Sequence, residues 1–82
     1  MDKPFYYVVG RQSCPFCVKA KDLLERKSIP VLFRDLEDNR GLLQEYSNKF
    51  SWNTVPMVFF VSTDDEYEFV GGFTDLKNRI GD

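Results

Sequence analysis

Eighty-two residues, 43% hydrophobic and 29% charged, suffice for one small globular domain and are too few for a multidomain enzyme. Aromatic side chains make up 16% of the chain, so a compact interior can be built from few large groups, which disfavours disorder. Eleven basic against thirteen acidic residues give a formal charge of -2, with no basic surplus for a nucleic-acid backbone, so nucleic acid is not an expected partner.

Met1-Asp2-Lys3-Pro4 leads into Phe5 to Val9, an apolar run too short for a secretory signal; the expected location is the cytoplasm. That β-branched and aromatic run, ended by Gly10, reads as a buried strand. From Pro15 the period changes: Phe16, Ala20, Leu23 and Leu24, with Cys17 three before Ala20, predict one apolar helical stripe. Pro15 suits a first helical turn, where a missing N–H costs nothing. Ser28-Ile29-Pro30 breaks the helix, and Val31-Leu32-Phe33 begins a second strand running into Arg34-Asp35. Asp38 or Asn39 can cap a second helix over Leu42, Leu43 and Tyr46, ending near Lys49 or Phe50. Met57 to Val61 is the third strand. The apolar stretch around it, Val55 to Val61, falls far short of the roughly 20 residues of a membrane span. Asp64-Asp65 turn into a fourth strand, Tyr67 to Val70, stopped by Gly71-Gly72. Thr74 or Asp75 can cap a last helix, Leu76 to Ile80.

The order β-α-β-α-β-β-α, with no repeat or linker, predicts a single α/β domain over residues 1–82. A right-handed crossover makes the first two strands parallel, and the final hairpin adds an antiparallel pair to a mixed four-stranded sheet with helices on its faces.

The reactive residues are few. The chain has two cysteines, Cys14 and Cys17, and no histidine, which excludes Cys-His and Ser-His-Asp catalysis and every His-ligated metal. Two thiols are half of a zinc site, so metal would need a second chain or carboxylate ligands. A bridge across two intervening residues closes a very small loop and constrains the unfolded chain little, so the spacing suits redox turnover better than stapling. Lying between a strand and a helix, Cys14 is expected at the positive end of a helix dipole, near N–H groups that stabilise a thiolate, with Arg11 as a second positive source. Cys17, one turn further in, is expected to be shielded and to keep its proton until a mixed disulfide forms beside it.

Gly10 to Leu24, and Cys14-Pro15-Phe16-Cys17 within it, resemble the dithiol glutaredoxins of the thioredoxin superfamily, with Phe16 where the family usually has Tyr. Thr54-Val55-Pro56 resembles the family's Thr-Val-Pro signature, whose proline peptide is cis. The resemblance thus implies a cis Pro56 and a Val55 backbone open to strand-like pairing with a peptide. Gly71-Gly72-Phe73-Thr74-Asp75 resembles the segment with which glutaredoxins grip the γ-glutamyl end of glutathione. Glycines permit close backbone approach, and Thr74 and Asp75 at a helix start can meet an α-carboxylate and an ammonium. Each of the last two segments, taken alone, reads as an ordinary turn. Their order behind the cysteine motif gives them weight.

The resemblance implies a thioredoxin-like fold and a glutathione-dependent thiol–disulfide oxidoreductase. Cys14 would be the nucleophile and Cys17 the resolving thiol. Arg11, Phe16, Thr54, Val55, Pro56, Gly72, Phe73, Thr74 and Asp75 would form the glutathione site. No cofactor is expected beyond glutathione as co-substrate, and no membrane partner. The expected clients of the monomer are glutathionylated or disulfide-bearing proteins, ribonucleotide reductase among those the family serves. The contact to the glycyl carboxylate stays open, with Gln44, Lys49 and others of the second helix or the loop before Thr-Val-Pro as candidates. Two other readings are a redoxin reduced by thioredoxin reductase, which would usually lack the Gly-Gly-Phe-Thr-Asp pattern, and a module holding an iron-sulfur cluster or zinc between two protomers through Cys14.

Overall fold

The structure, a computed structural model, describes residues 3–64 and 66–81. Met1, Asp2 and Asp82 lie outside the described residues, as does Asp65 of the expected Asp64-Asp65 turn. The elements are β1 (Phe5–Gly10), α1 (Pro15–Arg26), β2 (Val31–Asp35), α2 (Arg40–Phe50), β3 (Met57–Val61), β4 (Tyr67–Gly71) and α3 (Phe73–Ile80). The four strands form one sheet in the order β2-β1-β3-β4. β1 and β2 run parallel, while β3 is antiparallel to both β1 and β4. This is the mixed four-stranded sheet that the order of periods predicts, in the thioredoxin-like form that the resemblance implies. Among the described residues no helix is long and apolar enough to cross a membrane.

Alternation along the strands divides the interior into two layers. Tyr6, Val8 and Val58 face α1 and α3, where Ala20, Leu23, Leu24 and Leu76 close the layer. Val9, Met57 and Phe59 face the other way, against Leu36 and the half-buried Leu42, Leu43, Tyr46 and Phe50. α2 has no fully buried residue, so this second layer is held mainly by aromatic contacts such as Phe50 on Phe59, with ring centres 4.9 Å apart.

Two expectations need correction. Phe16 does not join the α1 stripe: Cys17, Ala20, Leu23 and Leu24 are at most 1% exposed, whereas Phe16 is 53% exposed. At 100° per residue it lies well round the helix from Cys17, and it packs on Phe73 instead, at 5.9 Å between ring centres. Second, α3 begins at Phe73 with Gly72 as its N-cap, so Thr74 and Asp75 sit inside the first turn. The Asp75 carboxylate reaches back to accept the Gly72 N–H at 2.9 Å, doing from the third helical position what a cap does from in front. In α2 the expected cap holds: Asn39 Oδ1 accepts the Leu42 N–H at 3.2 Å.

Candidate active site

The site gathers where β1 and β2 end side by side. Gly10 pairs with Asp35 across the parallel ladder, so the turn carrying the cysteines lies beside the loop leaving β2. That loop anchors it. Asp35 Oδ1 accepts the N–H groups of Gln12 and Glu37, at 3.2 and 2.9 Å. Glu37 accepts the Ser13 N–H at 3.0 Å and the Arg11 Nε–H at 3.3 Å. Bonds from Ser13, with Arg11 adding its charge, hold the Glu37 carboxyl below the usual range. Neither Asp35 nor Glu37 belongs to a motif. The signal that could have found them is topological, since a right-handed crossover sets the C-terminal ends of parallel neighbours together.

Cys14 is the N-cap of α1 and makes no side-chain capping bond. Its thiol points across the site to the Val55 carbonyl, 3.8 Å away. Cys17 is fully buried, accepts the Arg11 backbone N–H at 3.5 Å, and packs so tightly on Gly10 that a Cβ there would overlap its sulfur. Both thiols are free. Burial pushes the Cys17 thiol up to about 12; the Arg11 N–H opposes the rise and the Cys14 sulfur adds to it. Cys17 is therefore neutral at physiological pH, which fits the shielded thiol that the sequence predicts.

That rise makes stability pH-dependent. In the unfolded chain the thiol titrates near 9.0, and in the fold near 12. Its contribution is complete below pH 9 and is lost as pH rises, because the unfolded state alone releases the proton. Tyr7, pushed up from 10.0 to about 12 mainly by burial, acts in the same direction at higher pH. Cys17→Ala should flatten the fall in stability between pH 8 and pH 10. Urea unfolding at both pH values checks this, and equal slopes for variant and parent would contradict it.

The other two segments converge on the thiol. The Val55–Pro56 peptide is cis, Pro56 is buried, and the Val55 carbonyl faces the Cys14 thiol. Gly72 abuts Pro56 and Trp52: a Cβ on it would stand 3.7 Å from the Pro56 carbonyl oxygen and 3.5 Å from the indole. Phe73 meets Phe16, and Thr74 and Asp75 are exposed beyond them. Beside Val55 opens a groove of about 260 Å3, lined by Arg11, Arg40, Gln44, Asn53 and Thr54 among others. Arg40, and Arg11 with its partner Glu37, bring two guanidinium groups to this groove, a place for a carboxylate. Of the two residues named as candidates for the glycyl carboxylate, Gln44 lines this groove and Lys49 lines a separate cleft. Arg40 was not singled out from the sequence. Its spacing of four and seven from Gln44 and Ser47 places the three on one helical stripe.

The chain is similar to known proteins in sequence and in fold. The glutaredoxin family profile matches residues 5–66. Glutaredoxin 1 of Rickettsia prowazekii is 38% identical over 71 residues, covering 80% of this chain and 66% of that protein. The glutaredoxin of Pseudomonas aeruginosa is 33% identical over 77% of this chain and 69% of that one. The chain thus spans about two thirds of the length of these curated relatives. The solution structure of Brucella melitensis glutaredoxin matches with a TM-score of 0.73 at 29% identity, over 99% of this chain and 85% of that one. Glutaredoxin 1 of Francisella tularensis, crystallised with cacodylate, gives a TM-score of 0.67 at 30% identity, over 94% and 92%. With the cysteine pair, the cis-proline loop and the Gly-Gly turn drawn to one end of such a sheet, this chain belongs to the glutaredoxin family.

Proposed function

We propose that this protein is a thiol–disulfide oxidoreductase that uses glutathione as its co-substrate. The observation that carries this reading is the position of Cys14, facing Val55 at 3.8 Å beside a groove whose wall holds two arginines. Glutathione is a short peptide with a carboxylate at each end and an ammonium at one. The open backbone at Val55, the arginines that line the groove and the exposed Asp75 carboxylate are chemically matched to it. The glycyl carboxylate would meet Arg11 and Arg40, and Thr74 and Asp75 would take the γ-glutamyl end. Phe16 and Phe73 would flank the bound sulfur.

The cycle starts with Cys14 as a thiolate, which attacks the glutathione sulfur of a glutathionylated protein. The old S–S bond breaks, a Cys14–glutathione bond forms, and the departing protein thiolate takes up a proton. A second glutathione thiolate then attacks the glutathione sulfur, releasing glutathione disulfide and regenerating Cys14. With a protein disulfide as substrate, the Cys14 thiolate first breaks the client's S–S bond to form a Cys14–client disulfide. Cys17 then gives up its proton and attacks the Cys14 sulfur, which breaks that bond, closes an internal disulfide and releases the client as a dithiol; two glutathiones reduce the pair and leave as glutathione disulfide. Neither route uses a prosthetic group. We place the protein in the cytoplasm as a monomer, with ribonucleotide reductase as one client of the dithiol route.

The assay that tests this measures turnover of a glutathione mixed disulfide, coupled either to glutathione and its reductase or to thioredoxin reductase. Turnover in the first system alone is expected, and turnover only in the second would overturn glutathione dependence. In the same assay Asp75→Ala should raise the KM for glutathione about three- to tenfold, the effect of losing one exposed charge-assisted contact. An unchanged KM would reject the role given to Asp75.

A further inference from the structure

α2 is too small to cover its whole face of the sheet. Past its inner stripe the aromatic layer opens into a cleft of about 290 Å3, walled by Tyr7, Tyr46, Lys49, Phe50, Phe59 and Tyr67. It shares no lining residue with the groove at Val55. Tyr7 lies three residues back along β1 from Gly10, about 10 Å at the rise of a strand, so the cleft lies away from the cysteines.

Its chemistry is one-sided. Phe50, Phe59 and Tyr67 meet edge to face, with ring centres 4.9 to 6.2 Å apart, and make a stiff wall suited to another flat ring. Every charged or hydroxyl group lining the cleft can donate a proton. The hydroxyls of Tyr7 and Tyr46 stand 3.4 Å apart; such a pair holds two protons and spends one between its own oxygens, leaving one for an outside acceptor. Burial keeps the Tyr7 phenol protonated, and Arg34 is close enough to that hydroxyl to oppose the shift. The Lys49 ammonium stands 5.6 Å from the centre of the Phe50 ring, and among the described residues it pairs with no carboxylate. No carboxylate lines the cleft either.

We infer that this cleft is a second binding site, for a flat aromatic carboxylate of one or two rings. The ring lies against Phe50, Phe59 and Tyr67, and the carboxylate meets Lys49 and the tyrosine pair. At about 290 Å3 the cleft lies just under the roughly 300–1,000 Å3 range of small-molecule sites, which suits a ligand of no more than two rings.

The probe is 2-naphthoate, titrated into the reduced 82-residue protein and followed residue by residue in 1H–15N spectra. Saturable 1:1 binding is expected, with a dissociation constant on the order of 0.1 to 1 mM for a ligand of this size. The shifts should centre on Tyr46, Lys49, Phe50 and Tyr67, leaving Arg40 and Val55 in place. Lys49 is exposed, so Lys49→Met keeps the fold; it should weaken binding about three- to fivefold, and the neutral 2-naphthamide should bind the parent about as weakly. Three results would each overturn the assignment: titration without saturation, shifts centred on Arg40 and Val55, or equal affinity for naphthoate, naphthamide and the Lys49→Met protein.

Discussion

Cys14→Ser is expected to abolish turnover of every disulfide substrate, while Cys17→Ser keeps deglutathionylation within a few-fold of the parent and loses reduction of protein disulfides. The asymmetry follows from what each sulfur faces. Cys14 Sγ looks out past Val55, where a docked disulfide can align with it. Cys17 is sealed beneath, against Gly10 and the Arg11 N–H, and its burial keeps it protonated. A hydroxyl at position 14 is far less nucleophilic near neutral pH, so the first S–S exchange has no attacking group. At position 17 the loss touches only the step in which the second thiol attacks the Cys14 sulfur and displaces the client's thiolate. Equal losses for both variants in both assays would show that the two thiols do not divide the work.

Gly71→Ala carries the largest expected cost to the fold, about 2–4 kcal/mol, from backbone strain and overpacking together. Gly71 holds φ +127, and a Cβ there would run into the Asp75 carboxylate. That carboxylate holds the Gly72 N–H at 2.9 Å and fixes the start of α3. The substitution should therefore loosen the Gly-Gly turn and raise the KM for glutathione along with lowering stability. Gly81→Ala is the internal control. It too has positive φ, at +77, but open space around the new methyl, so only the strain of the left-handed conformation is added, about 1 kcal/mol. Thermal unfolding of the two proteins separates strain from overlap. Matching losses would mean that Asp75 moves aside freely and does not fix the turn.

Much of this was legible in the sequence because two periods alternate cleanly along the chain. Met57 to Val61 reads as a strand and is one, and Asn39 caps α2 through its own side chain. What failed did so for local reasons. Gly72 carries no capping side chain, so the start of α3 is invisible to a search for Ser, Thr, Asp or Asn before a helix; the capping oxygen arrives from Asp75 three residues later. Phe16 suits an apolar stripe by type but lies about 100° round α1 from the buried Cys17, off the face that meets the core. Asp35, Glu37 and Arg40 act in the site through tertiary placement, which no short motif encodes. Gln44 and Lys49 were equivalent as polar residues of one helix. Five positions at 100° each put them on different faces, and α2 indeed walls one cleft with Gln44 and Ser47 and another with Tyr46 and Lys49.

The division between one presented sulfur and one sheltered sulfur is measured most directly by alkylation. Reduced protein treated briefly with iodoacetamide at pH 7, then mapped by peptide mass, should carry the label on Cys14 alone, with Cys17 reacting only after the fold is opened in guanidinium. Label shared evenly between the two in the folded protein, or found first on Cys17, would contradict the account.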